Sequence, residues 1–391
     1  MTHKYTGKIQ RTLVRFGDVV KSANLVERDP EANGVERIVG LEHIDPENLH
    51  IRRWNSVGDG TSFTRKFVPG QTLFGKRRAY QRKVAYAEFE GICSGDILTF
   101  ETNDKSVLLP ELLPFICQSD AFFDHALGTS AGSLSPRTSW TALKDFEFPL
   151  PPLDEQKRIA EILWAADEAV EKNVSLKRSL LQYYQSSIET LCFNKQNQEF
   201  RIEELGDINN ATLSISKTDK DYRFNYLDIG SIIAPKIIGE LIEYILADAP
   251  SRARRVVKSF DVLLSTVRPN LQSFVRIGEI DKDLIASTGF AVISPKDKLV
   301  GSIMFHSFFS KHFTNYCKAR VTGTSYPAIS SRDIGKFRIY VPNKKDEIQK
   351  FAIALDSIDN SISQVESNIE SIAVLKKKLL EESIRKGVSH V

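Results

Sequence analysis

The sequence predicts an α+β protein built twice over: two mixed, sheet-rich domains joined by two long helices that pair as an antiparallel coiled coil, with a pseudo-two-fold internal repeat. Three observations carry this expectation. Residues 154–163 read DEQKRIAEIL and residues 346–355 read DEIQKFAIAL, so a whole domain plus one helix is the repeating unit. Both segments open a sustained heptad pattern. Ahead of each lie short stretches of Val, Ile, Phe and Tyr between Gly, Pro and Asn turns, the pattern of small twisted sheets.

The elements follow in order. Residues 1–152 form the first domain, closed by Pro149, Pro151 and Pro152, which forbid helix before Leu153. Residues 153–195 form the first long helix, with Asp154 expected as its N-cap. Its apolar stripe is Ile159, Leu163, Ala166, Val170 and Val174, then Leu180 or Leu181, Tyr184, Ile188 and Leu191, with Tyr183 and Tyr184 expected in the bundle core. The second domain spans 196–342 and the second long helix 343–391. There Phe351, Leu355, Ile358, Ile362, Val365, Ile369 and Ile372 alternate four-residue and three-residue steps, which demands a partner helix. An antiparallel pairing would put the two domains at opposite ends of a rod.

Further anchors repeat in the same order. The run Ile38 to Ile44 matches Tyr226 to Ile232, and Leu73 to Arg78 matches Leu263 to Arg268. Gly128-Thr129-Ser130 is expected to answer Gly323-Thr324-Ser325, with Ala131-Gly132-Ser133-Leu134 as an insertion in the first copy. Lys144 to Phe148 matches Gly335 to Ile339. Between the anchors the copies share little, as expected of one task performed on two different targets.

Hydrophobic residues at 41% and charged residues at 26% describe a folded globular chain. The N-terminus lacks an apolar signal core and no stretch is long enough to cross a bilayer, so no membrane partner and a cytoplasmic location are expected. Four scattered cysteines and seven histidines form no metal or disulfide framework. The net charge of +3 is small, so the placement of cations matters more than their sum. Lys76, Arg77, Arg78, Arg82 and Lys83 surround Tyr80, while Arg252, Arg254 and Arg255 precede Arg268-Pro269-Asn270 in the second copy. Lysine and arginine at such density neutralise phosphates, and arginine or asparagine can read guanine or adenine edges. A solvated basic face is the alternative for either run alone; two runs favour DNA. Thr324, Ser325 and Tyr326 join the candidate DNA-binding set from the glycine loop.

The chain resembles the specificity subunit of type I restriction-modification enzymes. The resemblance rests on residues 150–160, LPPLDEQKRIA, on their weaker echo at Val341-Pro342, on residues 323–330, GTSYPAIS, on Tyr226 to Ile229, and on the closing Lys376 to Leu380. It covers essentially the whole chain. It implies that each recognition domain reads one half of a split double-stranded DNA target in the major groove. The paired helices would dock two methyltransferase subunits, and restriction motor-nuclease subunits would join. Adenine N6 methylation would use S-adenosylmethionine, and ATP and magnesium would likewise sit on partner subunits, so no cofactor is expected on this chain.

The motifs agree with a non-catalytic role. There is no Asn-Pro-Pro-Tyr-type methyltransferase sequence, no phosphate loop and no glycine-rich nucleotide turn. Asp154-Glu155-Gln156-Lys157 echoes the tail of a nuclease motif, yet it opens a helix after prolines, without an upstream acidic partner. The alternative is a self-contained site-specific nuclease or methyltransferase with duplicated DNA-binding domains.

Overall fold

The computed structural model describes residues 11–323 and 327–384; Thr324, Ser325 and Tyr326 lie outside the described residues. Two compact units divide the chain, and their borders fall inside the long helices. Unit 1 takes the described residues up to Val174 and those from Ser367 on; unit 2 is Ser175–Glu366.

Unit 1 contains two four-stranded mixed or antiparallel sheets. One orders Asn55–Ser56, Arg37–Val39, Gly91–Cys93 and Arg65–Phe67; the other orders Val20–Ser22, Ile97–Thr102, Thr72–Gly75 and Val84–Tyr86. Unit 2 repeats both. Its first sheet orders Ile242–Ile245, Arg223–Leu227, Leu284–Ser287 and Ala253–Val257; its second orders Gly206–Ile208, Phe290–Pro295, Val262–Ser265 and Phe274–Arg276. Each first sheet holds one parallel pair, Ile38 beside Ile92 and Tyr226 beside Ile285. The central strands Thr72–Gly75 and Val262–Ser265 are buried at every position, which explains their unbroken rather than alternating apolar character.

Both long helices run 40 residues, Leu153–Cys192 and Lys345–Ile384, about 60 Å each at ~1.5 Å per residue. The Glu155 and Gln156 amides donate to the Pro152 carbonyl at 3.0 and 2.9 Å. Pro152 therefore precedes the first turn, and Asp154, expected as the N-cap, instead lies within that turn, where its charge suits the positive end of the helix dipole. Gln156 is buried and fully satisfied: its amide donates to the Val107 and Pro151 carbonyls at 2.8 and 2.9 Å, and its oxygen accepts from the Leu109 amide at 3.0 Å. The nuclease-like string is thus a structural clasp between helix and recognition domain.

In each unit the helices are antiparallel. Lys376 meets Asp167 in unit 1, and Lys177 meets Glu366 at 2.9 Å in unit 2. Ile159, Leu163, Leu355, Ile358, Ile362, Val365, Tyr184 and Ile188 are buried; Ala166, Val170, Phe351, Ile369 and Ile372 are half-buried. The seam does not bury itself against helix alone. Ile159, Leu163 and Leu380 join the Phe16, Phe74, Phe100 and Phe122 core of unit 1, while Tyr184, Ile188, Leu355 and Ile358 join the Phe274, Phe308, Phe313 and Phe337 core of unit 2. Part of the apolar surface of both helices thus serves a domain rather than a partner helix. Tyr183, expected in the core, is 62% exposed and points away from it.

Candidate nucleic-acid interface

After the central strand of the second sheet, each unit makes the same tight excursion. Arg78 and Arg268 both adopt the left-handed conformation, φ +54° and +48°, and lead into short 3-10 helices, Ala79–Gln81 and Pro269–Leu271. Arg82 and Gln272, which end those helices, are left-handed too, φ +53° and +52°. A side chain in this region is strained unless its surroundings impose it. What imposes it is visible: the Arg78 and Arg268 amides donate to the Pro136 and Pro327 carbonyls, both at 2.7 Å.

These bonds correct the expected alignment of the glycine loops. Ala131 bridges Arg137 as Thr322 bridges Ala328, and Arg77 bridges Arg137 as Val267 bridges Ala328. Gly132 (φ +104°) therefore matches Gly323 (φ +88°), each supplying a backbone turn that L side chains resist. Ser139 and Ser330 then cap equivalent short helices. The first copy has no insertion; Ala131 to Leu134 belong to the loop itself. The shared Pro-x-x-Ser of Pro136 to Ser139 and Pro327 to Ser330 carried the true register.

The basic runs also separate. Arg252, Arg254 and Arg255 were expected to correspond to the Lys76–Lys83 region, but they lie at or on the edge strand Ala253–Val257 of the other sheet. Arg255 pairs with Ala286 as Arg65 pairs with Cys93, so Arg65 and Arg255 are the matched basic pair there. Arg82 and Lys83, expected at phosphates, are engaged inside the fold. Arg82 bonds Glu47 and Asp120 at 2.9 and 2.7 Å, donates to the Gln118 carbonyl at 2.9 Å and lies over the Phe123 ring; Lys83 donates to the Leu41 carbonyl at 2.6 Å.

The cations that remain cluster in unit 1. Arg77 reaches Asp96 at 3.4 Å and Ser135 at 3.1 Å, Arg78 reaches Ser135 at 3.3 Å, and Arg137 reaches Asp96 at 2.8 Å. The Nε atoms of Arg77, Arg78 and Arg255 are buried without a partner. Burial, then the neighbouring Arg65 guanidinium, push the Lys76 ammonium below its usual range, with Asp96 opposing. The hydrogen bond from Arg137, aided by Arg77 and opposed by burial, holds the Asp96 carboxyl low. Tyr80, Arg268 and Asn270 are exposed at the loop tips. Among the described residues no group of three or more metal-ligating side chains comes together, and no helix is long and apolar enough to cross a membrane.

A duplicated domain that presents an arginine loop from each copy, each copy packed on its own stretch of the long helices, is a two-site recognition scaffold. A family model described as the type I restriction modification DNA specificity domain matches residues 32–178 and 194–373, and the chain belongs to that family. The type I restriction enzyme MjaVIII specificity subunit of Methanocaldococcus jannaschii is 24% identical over 384 residues, covering 90% of this chain and 82% of the relative. The EcoDI specificity subunit of Escherichia coli is 30% identical over 146 residues, 34% of this chain and 31% of the relative. Among solved structures, the type I S subunit from M. genitalium superposes with a TM-score of 0.60 at 14% identity, covering 98% of each chain. A chain from a study of type I R-M complex assembly and conformational transition gives 0.54 at 18% identity, covering 96% of this chain and 98% of that one. The two confirm the fold.

Proposed function

We infer that this chain is the specificity subunit of a type I restriction-modification enzyme, reading one half of a split double-stranded DNA target with each unit and doing no chemistry itself. The carrying observation is the pair of left-handed arginines, Arg78 and Arg268, held in one backbone frame while the residues around them differ. A fixed frame with variable contents suits two different half-sites. Arginine at a strained, over-determined position is presented at low conformational cost to a base edge or phosphate.

The paired helices dock two methyltransferase subunits, and restriction motor-nuclease subunits complete the assembly in the cytoplasm. S-adenosylmethionine, magnesium and ATP act on those partners, where adenine N6 is methylated. Purified chain, alone and with its methyltransferase, given DNA, magnesium and S-adenosylmethionine, tests this reading. Methylation only in the complex supports it. Methylation or cleavage by the chain alone contradicts it and favours a self-contained enzyme.

A further inference from the structure

Arg137 stands apart from the other cations of unit 1 in what it leaves open. A guanidinium carries five N–H donors in one rigid plane. Asp96 occupies one side of that plane: Nε donates to Oδ1 at 2.8 Å and Nη2 approaches Oδ2 at 3.5 Å. Among the described residues nothing pairs with the opposite end, where one N–H from each terminal nitrogen lies parallel, and the side chain is 48% exposed. Arg77 and Arg78 instead each give Nη2 to the Ser135 hydroxyl, which turns their forks into the loop.

A parallel pair of donors on a plane fixed by a carboxylate matches O6 and N7 of guanine in the major groove. We propose that Arg137 is a specificity-determining residue that reads a guanine in the first half-site, with Asp96 as its positioning residue. The inference rests on the DNA-reading function proposed above. Unit 2 supplies the contrast. Its matched backbone positions carry Ala328 for Arg137, Val267 for Arg77 and Gly289 for Asp96; the last match is fixed by the Thr266 amide donating to Gly289 as the Lys76 amide donates to Asp96, at 2.8 and 2.9 Å. None of these three matched positions in unit 2 carries a guanidinium, and the small apolar surface they form suits a thymine methyl. The Arg137 contact therefore has no counterpart at the matched position of the other half-site.

The test uses the full chain in complex with its methyltransferase to select from a pool of randomised duplexes. Wild type is expected to enrich a split motif with guanine at one position of one half. Arg137→Ala lowers the preference for that guanine by roughly tenfold or more and leaves the other half-site unchanged. Arg137→Lys, which keeps the charge and loses the fork, does the same, and Asp96→Asn weakens the same single preference. Retention of the other half-site in each variant shows that the protein is folded. The proposal is overturned if Arg137→Lys restores wild-type selection, or if Arg137→Ala weakens all duplexes uniformly with a shallower salt dependence, the behaviour of a phosphate contact. A wild-type complex that enriches no split motif overturns the DNA-reading function itself, a failure separable from an unchanged motif in the Arg137 variants.

Discussion

In unit 1 the strand Thr72–Gly75 is followed by Lys76, Arg77 and Arg78; in unit 2 the strand Val262–Ser265 is followed by Thr266, Val267 and Arg268. The backbones agree to within a few degrees at the arginine, and both are tied to a proline carbonyl at 2.7 Å. Only the arginine is common. Around it, unit 1 gathers charge about Asp96 while unit 2 places Val267, Ala328 and Gly289. The difference teaches that the frame and the reading are separable: main-chain bonds set where the loop stands, and side chains at fixed stations decide what it meets.

A second contrast concerns how each recognition domain is fastened to the helices. In unit 1, Asp167 on the first helix is nearly buried between Lys376 of the second helix and His50 of the recognition domain, whose ring lies 2.9 Å from Asp167 and 2.8 Å from Glu88. In unit 2, Asp356 on the second helix receives Arg276, Ser302 and the buried His306, each at 2.8 Å, and His306 bonds Tyr184 on the first helix at 2.6 Å. Burial pushes the carboxyls of Asp167 and Asp356 up, but the hydrogen bonds to each and the neighbouring Lys376 and Arg276 charges hold both below their usual value.

Breaking a fastener gives the largest effect. Asp167→Ala strands Lys376, leaves His50 with Glu88 alone and is expected to destabilise unit 1 by about 3–5 kcal/mol, read by chemical denaturation, with unit 2 little changed. Truncating matched seam residues sharpens the shared part: Leu163→Ala and Leu355→Ala, both fully buried, should each cost about 2–5 kcal/mol in their own unit. Next come the loops. Arg78→Ala and Arg268→Ala should each weaken specific DNA binding by about 1–3 kcal/mol, while Lys76→Ala should lower the salt slope by about 1 with no counterpart in Thr266→Ala. The smallest effect is a pH slope. The Asp167 carboxylate, then Glu88, raise the His50 pKa against the opposing pull of burial. Its contribution is complete below the ordinary histidine value of about 6.5 and disappears as pH rises through the raised folded value. Unit 1 should thus melt lower at pH 8 than at pH 6, and His50→Gln should flatten that slope.

The duplication, the sheet content and the helix pairing were legible in the sequence because main-chain geometry repeats apolar spacing. Leu73 to Arg78 and Leu263 to Arg268 aligned for that reason. The loops were harder. Gly128-Thr129-Ser130 looked like Gly323-Thr324-Ser325 in letters, yet the positive φ belongs to Gly132, and only the proline that accepts from the arginine shows it. Density of charge misled at Arg82 and Lys83, whose partners Glu47, Asp120 and Leu41 are distant in sequence. Arg137 and Asp96 were missed because a single arginine in a Ser-rich loop and a single aspartate before a strand become a pair only when strands Thr72–Gly75 and Ile97–Thr102 lie side by side.

The most direct test is single-molecule methylome sequencing of a host lacking other methyltransferases and expressing this chain with its modification subunit. A split motif carrying N6-methyladenine in both halves is expected, with Arg78→Ala degrading one half and Arg268→Ala the other. An absence of methylation despite a stable complex, or a motif indifferent to both arginines, would contradict DNA reading by the paired arginine loops.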